Sequence, residues 1–319
     1  MMRLGEDYEM QAFSVRPRTL SLTPGEGTTE SDSARNQGVS SLPPIQHAGP
    51  RSTVSVLLPA YDEQDNIVEC LKTTSRAFER TNDELELIVI DDGSADQTAE
   101  RARDTTINYG VVRVLVHQFN RGKTAAIKTG FEASRGQLIG LMDADLQYDP
   151  EDLVRLVGLI KNGYGAVSGW RRSRRDHWSK TIPSRLFNWM TRQTFGLDFK
   201  DFNSGVKAFS RDALMSIQLE GDAHRFLVPL ANMHGFRVVE IPVSHFPRRA
   251  GHSKFGPLRM MTGTVDLMGL KAKMTFGWDA ITPFSTPWRF LRYEVWRHIK
   301  GRAVKGLLRL NGAGSSAKS

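Results

Sequence analysis

From Thr53 onward the chain keeps one rhythm. A short apolar run is followed by a polar turn, then by a segment with apolar residues at helical spacing. "TVSVLLPA" is rich in branched apolar residues and predicts a strand buried on both faces. In "DEQDNIVECLKTTSRAFER" the residues Ile67, Val68, Leu71 and Phe78 recur near the helical period and predict a helix. The pairing repeats. Strand "LELIVIDDGS" precedes helix "DQTAERARDTT", and strand "VRVLVHQ" precedes helix "GKTAAIKTGFEASR". "QLIGLMDADL" precedes "PEDLVRLVGLIKNG", whose Pro150 suits a first helical position, and "GAVSGW" reads as a fifth strand. Such alternation predicts an α/β protein with one largely parallel sheet covered by helices on both faces.

Residues 1–50 are rich in Ser, Thr, Pro, Gly and charge and lack this pattern, so a disordered tail is expected there. A second disordered tail is expected at 311–319. The chain has no internal repeat.

In a parallel sheet, ligands collect at the carboxyl ends of the strands. Polar groups fall at those ends here. Tyr61, Asp62 and Glu63 follow the first strand, and Asp91 and Asp92 the second. Asn120, Arg121 and Lys123 follow the third, and Asp143 and Asp145 the fourth. One such group could be turn chemistry; four on one edge predict a site. The D-x-D of Asp143 and Asp145 suits a hard divalent cation, Mg²⁺ or Mn²⁺, which binds through one or two carboxylates and substrate phosphates. The competing reading makes these residues caps of the next helix. Asp149, directly before Pro150, fits that cap, whereas Asp143 lies too far upstream. Asp91 and Asp92 could form a solvated turn with Gly93, or accept from a base N–H or a ribose hydroxyl. Lys123 could be a surface charge, or part of an anion site at a helix N-terminus.

Two nucleotide-binding devices are missing. No G-x-G-x-x-G follows the first strand, and "NRGKT" matches only the tail of a P-loop.

The 319 residues carry a net charge of +8, which implies an anionic partner. The excess is concentrated. Residues 246–310 hold 13 Lys/Arg against Asp266, Asp279 and Glu294. Nucleic acid is disfavoured, because acidic strand ends repel phosphates. Cys70 is the single cysteine, so no intramolecular disulfide forms and a reducing compartment is expected. No secretory signal and no run of about 18 apolar residues is present, so any membrane contact is expected at the surface. In "STPWRFLRYEVWRHIKGRAVKGLLRL", Trp288, Leu291, Val295 and Ile299 recur at helical spacing among arginines and lysines. This predicts an interfacial amphipathic helix, or a helix packed on the body.

Six segments in order resemble the family 2 inverting glycosyltransferases, in the branch of dolichyl-phosphate mannose synthases and polyprenyl-phosphate glycosyltransferases. They are "LLPAYDEQDNI", "VIDDGSADQT", "NRGKTAAIKTG", "LMDADLQYDPEDL", "DFNSGVKAFSRDAL" and "PRRAGHSKFG". The resemblance implies a GT-A fold, expected over residues 51–256; many of these relatives carry transmembrane helices after it, whereas the composition of this chain predicts membrane-surface helices over 257–310. It implies a nucleotide-sugar donor, GDP-mannose or a UDP-hexose, and a polyprenyl or dolichyl phosphate acceptor. An anionic membrane surface, on the cytoplasmic face, is the implied partner, and oligomeric state stays open. By position, Pro59, Tyr61 and Glu63 are expected along the nucleotide, with Asp91 or Asp92 on the base or ribose and Lys123 nearby. Asp143, Asp145 and Gln147 are expected to hold the metal and diphosphate. Asp201, Asn203, Ser204 and Arg211 are expected to border sugar and acceptor, with Asp201 as base if the acceptor is a hydroxyl. Arg248, Ser253 and Lys254, with Gly251 in their turn, are expected at the acceptor phosphate. The rival reading is a metal-dependent glycosyltransferase acting on a saccharide or small soluble acceptor. A sugar nucleotidyltransferase is disfavoured, because its Gly-rich loop after the first strand is missing.

Overall fold

A computed structural model describes residues 52–171, 178–248 and 267–268, with the helical backbone alone for 178–186. The expected tails at 1–50 and 311–319, nearly all of the expected surface helices at 257–310, and Ser253 and Lys254 lie outside these residues.

The described strands form one seven-stranded sheet in the order β3-β2-β1-β4-β6-β5-β7. They are β1 (Thr53–Ala60), β2 (Glu84–Asp91), β3 (Val111–Val116), β4 (Leu138–Leu141), β5 (Ala166–Arg171), β6 (Lys207–Ser210) and β7 (Val238–Val243). All run parallel except β6, which is antiparallel to both β4 and β5. The helices are α1 (Ile67–Glu79), α2 (Thr98–Arg103), α3 (Lys123–Ala133), α4 (Pro150–Lys161), α5 (Trp178–Phe195), α6 (Arg211–Met215) and α7 (Leu227–Met233). The five sequence-predicted strands and their intervening helices are present.

Alternate residues of the strands feed two apolar layers. Val54, Val56 and Leu58 pack with Ile67, Leu71, Phe78, Leu153 and Leu156 of α1 and α4. Leu57, Ile88, Ile90, Ile139 and Leu141 pack with Ile127, Leu214, Leu227 and Val228 of α3, α6 and α7. Each fully buried Leu, Ile or Phe contributes roughly 1.5–3 kcal/mol. Cys70 is buried in the first layer and burial pushes its thiol up to about 12, so it is a packing residue rather than a nucleophile.

Right-handed crossovers account for α1 on one face and α3 on the other. From β1 the chain steps outward to β2 and β3 over one face. It must then return across the other face, through α3, to lay β4 on the free side of β1. The chain leaves β1 toward β2 on one side and β4 toward β5 on the other, so the strand order reverses between β1 and β4, and the carboxyl ends there form the topological switch point where ligands bind. Among the described residues no helix is long and apolar enough to cross a membrane.

Candidate active site

The switch point is built from the loops that follow β1 to β4, with the segments that precede β6 and follow β7. After β1, Asp62 takes a left-handed backbone with φ of 49°. Its amide donates to Ser94 Oγ at 2.8 Å and its carboxylate accepts from the Ala95 amide at 2.8 Å. The β1 and β2 loops are thus tied together. After β4, Leu146 is also left-handed, at φ 59°. A non-glycine residue there costs about 1 kcal/mol or more, and such strain gathers at functional sites. It allows a tight turn in which the Gln147 amide donates back to Asp145 Oδ1 at 3.2 Å.

Asp143 and Asp145 leave the end of β4 together. Asp143 pairs with the Lys123 ammonium at the start of α3. Its carboxylate also lies against Gly205, where a Cβ would collide with Oδ2. Asp145 is buried. Burial and the charge of Asp143 push its pKa up to about 6, opposed by Arg248 and the Gln147 amide. Arg248 donates to Asp145 Oδ2 at 2.7 Å and to Glu63 Oε1 at 3.3 Å, bridging the β4 and β1 loops. Glu63 is fixed in turn: its Oε2 accepts from Asn66 Nδ2 at 2.6 Å and its amide donates to Thr98 Oγ1 at 2.8 Å.

A narrow cleft beside these carboxylates is lined by Pro59, Lys123, Asp143, Ser204, Gly205 and Lys207. Lys207 is the first residue of β6, opposite Leu141 in the register. It is buried, and its ammonium donates to the Ser204 carbonyl. Burial first, and the charge of Lys123 second, lower its pKa to about 7, against the pull of Asp201 and Asp143.

The comparisons with known proteins follow the same lines. The family model described as Glycosyl transferase family 2 matches residues 55–217, just over half of the chain. The chain belongs to this family. It is 36% identical over 217 residues to undecaprenyl-phosphate 4-deoxy-4-formamido-L-arabinose transferase of Edwardsiella ictaluri (strain 93-146), over 67% of this chain. The match spans 66% of the length of that relative. Two crystal structures of glucosyl-3-phosphoglycerate synthase from Mycobacterium tuberculosis share the fold. The complex with Mn²⁺, uridine diphosphate and phosphoglyceric acid gives a TM-score of 0.53 at 21% identity, over 70% of this chain and 78% of that one. The complex with Mn²⁺, UDP-glucose and glycerol 3-phosphate gives 0.52 at 21% identity, over 74% and 85%.

Within this family 2 sheet, several expected site residues meet at the switch point. Glu63, Lys123, Asp143, Asp145 and Gln147 converge there with Pro59, and Tyr61 follows β1 directly. Burial, then Asp62 and the other nearby carboxylates, raises the Tyr61 phenol above its ordinary pKa. Asp149 caps α4 as expected, accepting from the Glu151 amide at 3.0 Å.

Other expected site residues hold the framework together. Asp92 holds a loop. It is buried, with Oδ1 accepting from His117 Nδ1 at 2.7 Å and the Arg121 amide at 2.8 Å, and Oδ2 from the Gly122 amide at 2.7 Å. It thereby shapes the β3–α3 connection that presents Lys123. Asp91 accepts from the Ser94 amide at 2.8 Å, closing the turn at Gly93. That glycine has φ 75°, and a Cβ on it would stand 2.5 Å from the Phe119 backbone.

Arg211 is at the wrong edge of the sheet. Because β6 runs antiparallel to β4, Ser210 pairs with Leu138, the first residue of β4. Arg211 therefore emerges at the amino end of β4. Its guanidinium donates to the carbonyls of Gly136 at 2.7 Å and Ser134 at 2.9 Å. Buried Glu86 braces the same connection by accepting from the Arg135 amide at 2.6 Å. Burial raises the Glu86 pKa, but that amide, Ser55 and Arg113 outweigh it and hold the carboxyl below its usual range.

Asp201, the expected base for a hydroxyl acceptor, is held by an arginine. Its two oxygens accept a bidentate pair from Arg171, at 2.6 and 3.0 Å, and it is buried. Glu240 braces this pair by accepting from the amides of Lys200 at 2.6 Å and Asp201 at 3.3 Å; burial lifts its pKa to about 7. Asn203 Oδ1 accepts from Arg225 at 3.0 Å. Arg248, expected at an acceptor phosphate, is engaged by Asp145 and Glu63. Sequence reasoning missed Lys207 and the partnership of Arg171 with Asp201. The signal for Lys207 was a lone lysine in the apolar run "GVKAF".

Proposed function

We propose that this family 2 chain transfers a sugar from a nucleoside-diphosphate sugar to a polyprenyl phosphate. It would work at the cytoplasmic face of a membrane, with inversion at the anomeric carbon. One observation carries the reading. A carboxylate pair at the end of β4, of which Asp145 is buried and Asp143 meets a lysine at a helix N-terminus, sits at the switch point of the sheet. The likeness to an undecaprenyl-phosphate transferase supports the lipid phosphate as acceptor.

The donor set fits a hard divalent cation, Mg²⁺ or Mn²⁺. Asp143 and Asp145 offer oxygens, their mutual repulsion is relieved by a cation, and Gln147 supplies a neutral amide nearby. When bound, the ion neutralises charge on the departing diphosphate. Lys123 at the start of α3 adds positive charge on the same side. Pro59 near the end of β1, Tyr61 and Glu63 on the loop after it, and Asp91 at the end of β2 form the wall along which the nucleoside would lie.

A phosphate oxygen of the acceptor forms a bond to the anomeric carbon. The bond from that carbon to the diphosphate oxygen breaks, and the electron pair leaves with the nucleoside diphosphate. The attacking oxygen is anionic at neutral pH, so no strong base is required. That agrees with an Asp201 already held by Arg171. The chain contributes alignment and fixed charge, the two largest sources of rate in such displacements.

The test uses radiolabelled nucleotide sugars, polyprenyl phosphate and Mn²⁺, with organic extraction of product. Extractable label is expected with the wild type and none with Asp145→Ala. No extractable product with any donor would remove the lipid acceptor, and full activity of Asp145→Ala would remove the cation site.

A further inference from the structure

The backbone delivers Arg248 to Asp145. Beyond β7, the Phe246 amide donates to the Gln147 carbonyl at 2.9 Å, and Gln147 Nε2 donates to the Phe246 carbonyl at 3.2 Å. Tyr148 and His245 form an antiparallel bridge, with their rings edge to face at 5.3 Å. The Ser244 amide donates to Asp152 Oδ2 at 2.6 Å. Residues 244–246 are therefore laid along the turn that carries Asp145 and Gln147, and Arg248 reaches Asp145 and Glu63 from a pinned segment. Its side chain is 18% exposed in these pairs.

The site thus carries its own counter-cations. Lys123 answers Asp143, and Arg248 answers Asp145 together with Glu63. A guanidinium 2.7 Å from a carboxylate oxygen occupies the face that a directly coordinated cation would need, and both answer the same charge. We propose that Arg248 is an exchangeable counter-cation. It neutralises Asp145 in the free protein and yields that carboxylate to the divalent cation. The proposal rests on the glycosyl-transfer reading above. An arginine that stayed on Asp145 would leave the diphosphate without its metal.

Mn²⁺ binding to the full chain, read from the free-ion electron paramagnetic resonance signal at pH 8, tests this without turnover. Arg248→Gln, with the competing charge removed, should bind Mn²⁺ about fivefold more tightly than the wild type, the scale of one partly buried ion pair. Arg248→Lys, a point charge without the bridging fork, should fall between them. Near-ultraviolet circular dichroism checks that each variant is folded; should Arg248→Gln not fold, Arg248→Lys alone carries the comparison. Equal or weaker Mn²⁺ binding by a folded variant overturns the proposal and leaves the transferase reading standing. Absence of Mn²⁺ binding in every protein, even with uridine or guanosine diphosphate added, overturns both.

Discussion

Lys207 is buried with no carboxylate on its ammonium among the described residues, an expensive arrangement whose cost can be measured. Its ordinary pKa of 10.5 falls to about 7 in the folded chain. Above pH 10.5 the amine is neutral in both folded and unfolded chains and adds no penalty. As pH falls from 10.5 toward 7, the unfolded chain takes up the proton first, so the native state loses stability. The loss is complete only below about 7. The whole shift corresponds to roughly 4–5 kcal/mol, of which about 2 kcal/mol falls between pH 9 and pH 7. Lys207→Met keeps the aliphatic stem and removes the titrating group, at about 1 kcal/mol for the Ser204 carbonyl left unmatched. Urea unfolding of wild type and variant, followed by tryptophan fluorescence in EDTA at pH 7, 8 and 9, isolates the effect. The variant should gain about 2 kcal/mol on the wild type from pH 9 to pH 7. Parallel pH profiles, or a variant that loses ground toward pH 7, would refute the burial argument. The same variant should bind a nucleoside diphosphate more weakly, because the destabilising charge sits beside Asp143 where an anion is expected.

Two further substitutions separate the site from its supports. Gly205→Ala inserts a methyl into the Asp143 carboxylate and to 2.8 Å from the Tyr148 ring. It should weaken nucleoside-diphosphate binding by about tenfold in calorimetry, at an overpacking cost of about 1–3 kcal/mol in urea unfolding; unchanged binding would separate Asp143 from the nucleotide. Arg211→Met removes the guanidinium from the Ser134 and Gly136 carbonyls on the far edge. It should cost about 2–3 kcal/mol of stability while leaving the donor KM unchanged; a raised KM would return Arg211 to the site.

The local chemistry was legible in the chain. Apolar runs such as "TVSVLLPA" and the Asp149–Pro150 start of α4 report burial and capping, which depend on neighbours a few residues away. The acidic strand ends were legible for a related reason: a parallel sheet sends all its carboxyl ends to one edge, whichever strands are neighbours. What lay beyond reach was pairing. Periodicity records how deeply a segment is buried, but not which strand it joins or in which direction. The antiparallel insertion of β6 between β4 and β5 sets Lys207 beside Leu141 and carries Arg211, four residues later, to the opposite edge. The segment "GVKAFSR" was one candidate stretch in sequence, and the sheet divides it between the site and its foundation. Arg248 shows the same division. Its basic neighbourhood suggested a phosphate, but only the pairing of 245–246 with 147–148 brings it onto Asp145 and Glu63. Residue types and local spacing set what chemistry this protein can perform. Strand direction and register, which are long-range, decided which charges meet.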